Sequence, residues 1–158
     1  MAKKEVEKFA IVRSEAEIPV VRKMGVPQSH IAGFEQREKL VGDMHTGDVL
    51  CVGSVRMVAT GVADLGQFLE ICYAKGILFQ SACEKALSFS QTTALSPAVR
   101  TILHTIARNE TEFIGMIKNS TLKDRDKLIL MSRIRQEYMN FVCMMFNNNN
   151  GIIKQRNL

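Results

Sequence analysis

Apolar residues fall along this 158-residue chain in two rhythms. Phe9-Ala10-Ile11-Val12 and Val49-Leu50-Cys51-Val52 are short unbroken runs, the pattern of strands buried on both faces. Ile18-Pro19-Val20-Val21 reads as a further strand, with Pro19 at its start or on a sheet edge. A loop is predicted from Pro27 to Gly33, then a helix over 34–45 with Phe34, Leu40, Val41 and Met44 on one face. His45-Thr46-Gly47-Asp48 turns the chain into the strand at 49. Val62, Leu65, Phe68, Leu69 and Cys72 then recur at helical spacing up to Lys75-Gly76, a cation at the dipole end followed by a residue free to take a positive φ. Ile77-Leu78-Phe79 starts the next strand. Strand, helix of about 14 residues, turn and strand make a βαβ unit, which favours a parallel sheet with helices on its faces.

Beyond Ser88 the rhythm becomes helical throughout. Ser96-Pro97 reads as an N-cap followed by proline at the first helical position. Val99, Ile102, Leu103, Ile106, Phe113, Ile114 and Ile117 follow along a helix of about 20 residues. Thr121-Leu122-Lys123-Asp124 resembles a capping box, so the helix either restarts there or runs on unbroken. Leu128, Met131, Tyr138, Val142 and Met145 form a stripe, with Arg135 at its missing position. Such a stripe either packs back on its own domain or pairs with a second chain. The run Asn147-Asn148-Asn149-Asn150-Gly151 ends the helix, and a flexible tail is expected over 147–158.

The charge is unevenly placed. The chain nets +5 with a pI near 9.2. Residues 1–117 hold 13 basic and 13 acidic side chains, so the whole excess lies in the last quarter. Lys118, Lys123, Arg125, Lys127, Arg133 and Arg135 carry most of it. They suit either an anionic partner such as DNA or a solvated helix face. No run approaches the roughly 18–20 apolar residues of a membrane span, and the start has no apolar signal segment, so a cytoplasmic protein is expected. Cys51, Cys72, Cys83 and Cys143 form no Cys-x-x-Cys pair and read as buried free thiols. His30, His45 and His104 stand apart. No metal, cofactor or small-molecule substrate is expected.

From Arg37 to Ile117 the chain resembles the catalytic domain of serine recombinases, the resolvase and DNA-invertase family. The words that carry the resemblance are Gly47-Asp48 before the strand, Asp64-Leu65 and Glu70 on the following helix, and Gly76-Ile77-Leu78-Phe79-Gln80-Ser81. Ser96-Pro97-Ala98-Val99-Arg100 opens the family's long helix. Ala107-Arg108-Asn109-Glu110-Thr111-Glu112-Phe113-Ile114 matches its Ala-Glu-x-Glu-Arg-x-Leu-Ile segment.

In that family a serine attacks DNA phosphate and arginines hold the phosphate oxygens. The resemblance puts Ser14 at the nucleophile position. It also puts Val12, Met57, Thr60 and Thr111 where the family has arginine. Arg13 is one residue out of phase, and on a strand one residue turns a side chain to the opposite face. Arg37 is the candidate for the family's mobile-loop arginine. The helix that follows the nucleophile loop in the family has no visible counterpart before residue 34.

The sequence therefore predicts an α/β fold with a mixed, mainly parallel sheet flanked by helices over 1–96, resolvase-like, and long C-terminal helices over 97–146. The resemblance implies a catalytically degenerate recombinase relative, homodimeric through Leu128, Met131, Tyr138, Val142 and Met145. DNA would be contacted, largely without sequence preference, by the six basic residues from Lys118 to Arg135. Two other readings stand beside it: a divergent active recombinase using Ser14, and a protein-interaction module built on the C-terminal helix.

Overall fold

The computed structural model describes residues 6–90 and 93–148. Its four strands, β1 (Lys8–Val12), β2 (Ile31–Gly33), β3 (Val49–Val52) and β4 (Leu78–Ser81), lie in the order β2-β1-β3-β4 and all run parallel. The described antiparallel pairing is an isolated bridge between Phe79 and Phe89. Five helices flank the sheet: α1 (Ile18–Lys23), α2 (Arg37–Asp43), α3 (Val62–Lys75), α4 (Pro97–Lys118) and α5 (Asp124–Phe146).

Alternation along the strands divides the apolar residues between the two faces. Ile11, Leu50, Val52 and Phe79 face the larger layer, where they pack with Leu65, Val142 and Phe146. Ala10, Val49 and Cys51 face the smaller one, against Val21 and Val26. The fully buried Phe79 and Phe146 each contribute about 1.5–3 kcal/mol by leaving water.

The βαβ unit over 49–81 forms as its pattern predicts. Gly76 closes α3 with φ +79°, its N–H reaching the Cys72 and Tyr73 carbonyls. Lys75 acts across the structure, donating to the Gly42 carbonyl at the end of α2.

Four local expectations are corrected. Residues 18–21 belong to a helix, because Pro19 sits in its first turn, where a missing N–H costs nothing. The stretch from Pro27 to Gly33 is a helical turn followed by β2, whose Ile31 pairs with Ala10. A helix does follow the loop after β1. The break after α4 is real, so 97–146 is two helices, but Lys123 rather than Thr121 holds the N-cap position and gives no side-chain cap. Ser96 likewise occupies its predicted cap position without a capping side-chain bond. The predicted tail beyond Asn148 lies outside the described residues.

The predicted stripe on α5 turns inward. Val142 is fully buried in the main core, and Tyr138 and Met145 pack against its edge. Met131 joins Ile114 and Ile117 in a small separate cluster near the hairpin turn. Leu128 alone of the five stays exposed, at 65%. The stripe assigned to pairing between chains thus largely covers the chain's own body, since α5 reverses direction after residues 119–123 and lies back along α3 and α4.

Candidate functional site

In an open parallel sheet, the place for a ligand is the crevice beyond the carboxyl ends of the strands, where the strand order reverses. Here that point lies between β1 and β3. Ser14 is two residues past the end of β1, exposed and extended (φ −146°, ψ 159°), with its carbonyl accepting the Glu17 N–H.

Strand alternation governs the neighbouring arginine. Val12 packs toward the smaller layer, so Arg13 projects toward the larger one. Its guanidinium lies 3.8 Å over the Phe34 ring and donates to the Ala59 carbonyl. Burial and the nearby Arg37 charge hold its pKa below the ordinary arginine value. Arg37 reaches the same ring at 5.0 Å, but its charge is neutralised. It forms a two-pronged pair with Asp64 at 2.9 and 3.2 Å and bonds Glu38 at 3.0 Å. Burial opposes its charge, and the bonds to Asp64 and Glu38 outweigh burial, so its pKa ends above the usual value. Asp64 also accepts the Thr60 backbone N–H, which fixes the entry to α3. Arg37 is thus committed to a structural pair between α2 and α3.

The mouth of the crevice is acidic. A Cβ added to Gly53, at the end of β3, would collide with a Glu17 carboxylate oxygen, so Glu17 lies directly against that backbone. Beside it, at the ends of β3 and β4, the buried Glu84 accepts bonds from Ser54 Oγ (2.8 Å), Val55 N–H (2.9 Å) and Ser81 Oγ (2.7 Å). These bonds satisfy it fully and tie the two strand ends together.

The C-terminal end of α5 covers this half of the crevice. Cys143 approaches Ser54, and Asn140 accepts from Arg56. Asn148 donates to the Ala82 carbonyl and accepts from Lys85 N–H. On the β1 side Ser14 is exposed.

The positions where the resemblance expects further arginines hold other residues. Met57 packs at the edge of the core, and Thr60 binds Asp64. Thr111 returns its hydroxyl to the Ala107 carbonyl within α4. One residue of the matched segment has a role that sequence reasoning missed. Glu110, 3% exposed, accepts the backbone N–H groups of Val62 (2.7 Å) and Ala63 (3.2 Å) at the start of α3. Its only signal was a carboxylate at a position otherwise turned toward the core.

The basic residues divide into two groups. Lys118, Lys123, Arg125 and Arg133 are exposed around the α4–α5 turn and the outer side of α5. Lys127 donates to the Lys118 carbonyl and so closes the end of α4. Arg135 is half-buried, its stem against Gly61.

All four cysteines are free. Burial pushes the thiols of Cys51 and Cys143 up to about 11 and that of Cys72 to about 12. Cys83 departs from expectation in being exposed, though it too is raised, by partial burial and by the Glu84 and Glu17 charges. Among the described residues no group of three or more His, Cys, Asp or Glu could hold a metal, and no helix is long and apolar enough to cross a membrane.

No protein-family model matches the chain, and no curated protein matches it. Among solved structures, one similar to it is the crystal structure of a resolvase family site-specific recombinase from Streptococcus pneumoniae. The TM-score is 0.54 at 14% identity, over 82% of this chain and 99% of that one. The likeness establishes a resolvase-like fold.

Proposed function

We propose that this chain is a resolvase-fold protein that associates with DNA without cutting it, acting as a dimer. The observation that carries the reading is the lack of an uncommitted guanidinium beside Ser14 among the described residues. Arg13 is stacked on Phe34 and bonded to Ala59, and Arg37 is paired with Asp64. Glu17 places a negative charge at the crevice mouth, where a phosphate would be repelled. Removing one oxyanion-holding donor costs on the order of 10²–10³ in rate, and here four expected arginine positions hold Val12, Met57, Thr60 and Thr111.

DNA contact would fall to Lys118, Lys123, Arg125 and Arg133, the exposed cations near the α4–α5 turn. Contacts of this type go to phosphates and carry little sequence information. Cytoplasmic residence belongs to the same proposal. The deciding experiment incubates the protein with supercoiled DNA, stops the reaction in denaturant and looks for a covalent protein–DNA adduct. None is expected. An adduct that disappears in Ser14→Ala would establish the rival reading, a divergent recombinase using the exposed Ser14. A parallel gel shift across salt separates a DNA-associated protein from an interaction module that binds protein alone: binding no tighter than that of a neutral control protein leaves only the latter.

A further inference from the structure

Between α4 and α5 lies an open groove of about 450 Å3, lined by Thr105, Ile106, Asn109, Glu137, Tyr138 and Phe141. The hairpin creates it. Thr105 and Asn109 stand one turn apart on a face of α4, as do Glu137 and Phe141 on α5. The Tyr138 hydroxyl crosses between the helices to the Asn109 side-chain oxygen and fixes their register at this point. Ile106 and Tyr138 are half-buried in the lining, and Phe141 is 46% exposed.

Charge and hydrogen bonding in this groove are one-sided. Glu137 is the one charged residue of its lining, in a chain that nets +5. Its carboxylate forms no ion pair or hydrogen bond among the described residues, although Arg133 lies one turn before it. The two hydroxyls of the lining have committed their hydrogens: Thr105 donates to the Thr101 carbonyl at 2.8 Å, and Tyr138 to Asn109. A hydroxyl that donates once keeps lone pairs with which to accept. Glu137, Thr105 and Tyr138 therefore offer acceptors. Among the lining side chains, the Asn109 amide alone still offers N–H groups.

We propose that this groove binds a small primary ammonium ion with an apolar body. An ammonium carries three donors and no acceptor, the complement of this lining. An exposed carboxylate by itself holds a cation weakly. A cation beside Glu137 also meets the rings of Tyr138 and Phe141, which line the same groove and add cation–π attraction. Ile106 and Phe141 give the hydrocarbon part a surface to cover, and the volume falls in the range of small-molecule sites. A carboxylate or phosphate ligand is disfavoured, since Glu137 repels it and only the Asn109 side chain can donate to it. The side chain of a lysine on another protein ends in polar backbone rather than in an apolar body. A free amine is the better match.

The test is titration of the full chain, nitrogen-labelled, with hexylammonium, followed through its backbone amide NMR signals. Signals of residues 105–109 and 137–141 should move, with a Kd of about 1 mM. Hexanol has the same body without the charge, and hexyltrimethylammonium has the charge without the donors. Each should bind at least about tenfold more weakly. Glu137→Gln should cost hexylammonium about tenfold and leave hexanol unchanged. Thr105→Phe, which fills the groove from an exposed position, should abolish binding of both. The spectra also report whether each variant is folded; should Glu137→Gln fail to fold, Thr105→Phe decides. No movement of these signals up to about 20 mM amine, or full binding by Thr105→Phe, overturns the site. Hexanol binding as tightly as the amine, or indifference to Glu137→Gln, overturns the ammonium assignment and leaves an apolar trap. An equally tight trimethyl derivative overturns the role of the acceptors. Tighter binding of Nα-acetyl-lysine amide than of hexylammonium overturns the free amine in favour of a lysine side chain.

Discussion

Glu110, midway along α4, accepts the Val62 backbone N–H at 2.7 Å and so holds the first turn of α3. A carboxylate at a helix N-terminus satisfies orphan donors and favours the helix dipole. Gly61 permits the approach, since a Cβ there would meet a Glu110 carboxylate oxygen at 2.9 Å. Glu110→Ala leaves the buried Val62 N–H and the part-buried Ala63 N–H unpaired and should cost about 2–3 kcal/mol. Glu110→Gln should cost less. Urea unfolding followed by circular dichroism checks both, as a lowered midpoint at unchanged slope.

The Arg37–Asp64 pair gives stability a pH signature. Burial pushes the Asp64 carboxyl up, but the bonds from Arg37 and Thr60 outweigh it and leave its pKa below the usual carboxylate value. A group depressed in the folded state stabilises fully above its unfolded pKa, about 3.9, and loses that contribution as pH falls through the folded value. Wild type should therefore exceed Asp64→Asn by about 1–2 kcal/mol from pH 5 to 8. The gap should close below about pH 4. Unfolding curves of both proteins across that range measure it.

α5 is an integral part of the core, which two substitutions separate from its surface. Phe146→Ala removes a fully buried ring and should cost about 3–5 kcal/mol. Leu128→Ala, at an exposed site, should stay within about 0.5 kcal/mol of wild type. Thermal or urea melts distinguish them, and equal effects would mean that α5 does not pack as described.

For DNA, the cations near the turn predict salt dependence without sequence dependence. Lys123→Ala with Arg125→Ala should weaken binding alike on unrelated duplexes. The slope of log K against log salt should flatten by about 1 for each residue removed. Fluorescence anisotropy titrations at several salt concentrations report both.

Thiol chemistry tests the burial pattern. Brief iodoacetamide treatment of the native protein should modify Cys83 alone, while Cys51, Cys72 and Cys143 react only after unfolding. Since the Cys83 thiol is also raised, its rate should still be climbing above pH 9. Intact mass counts the adducts.

The βαβ unit was legible because unbroken apolar runs, a helical repeat and Gly76 all agreed. α1 was not, since Ile18-Pro19-Val20-Val21 has strand-like residues and the helical tolerance for Pro19 depends on its place in the first turn. β2 has only Ile31, Ala32 and Gly33, too few for a period. At the site, strand alternation correctly turned Arg13 away from Val12. Glu17 against Gly53 and Glu110 at Val62 join residues 36 and 48 positions apart, so no local pattern could announce them. The inward stripe of α5 was readable as apolar, but its partner was not.

The reversal at residues 119–123 also sets how far the molecule can extend along a polymer. Residues 97–146 as one unbroken helix would measure about 75 Å. As a hairpin they span about 35 Å, roughly the rise of ten base pairs rather than twenty-two. If the chain contacts DNA as proposed, its paired helices would cover about one turn of the duplex rather than two.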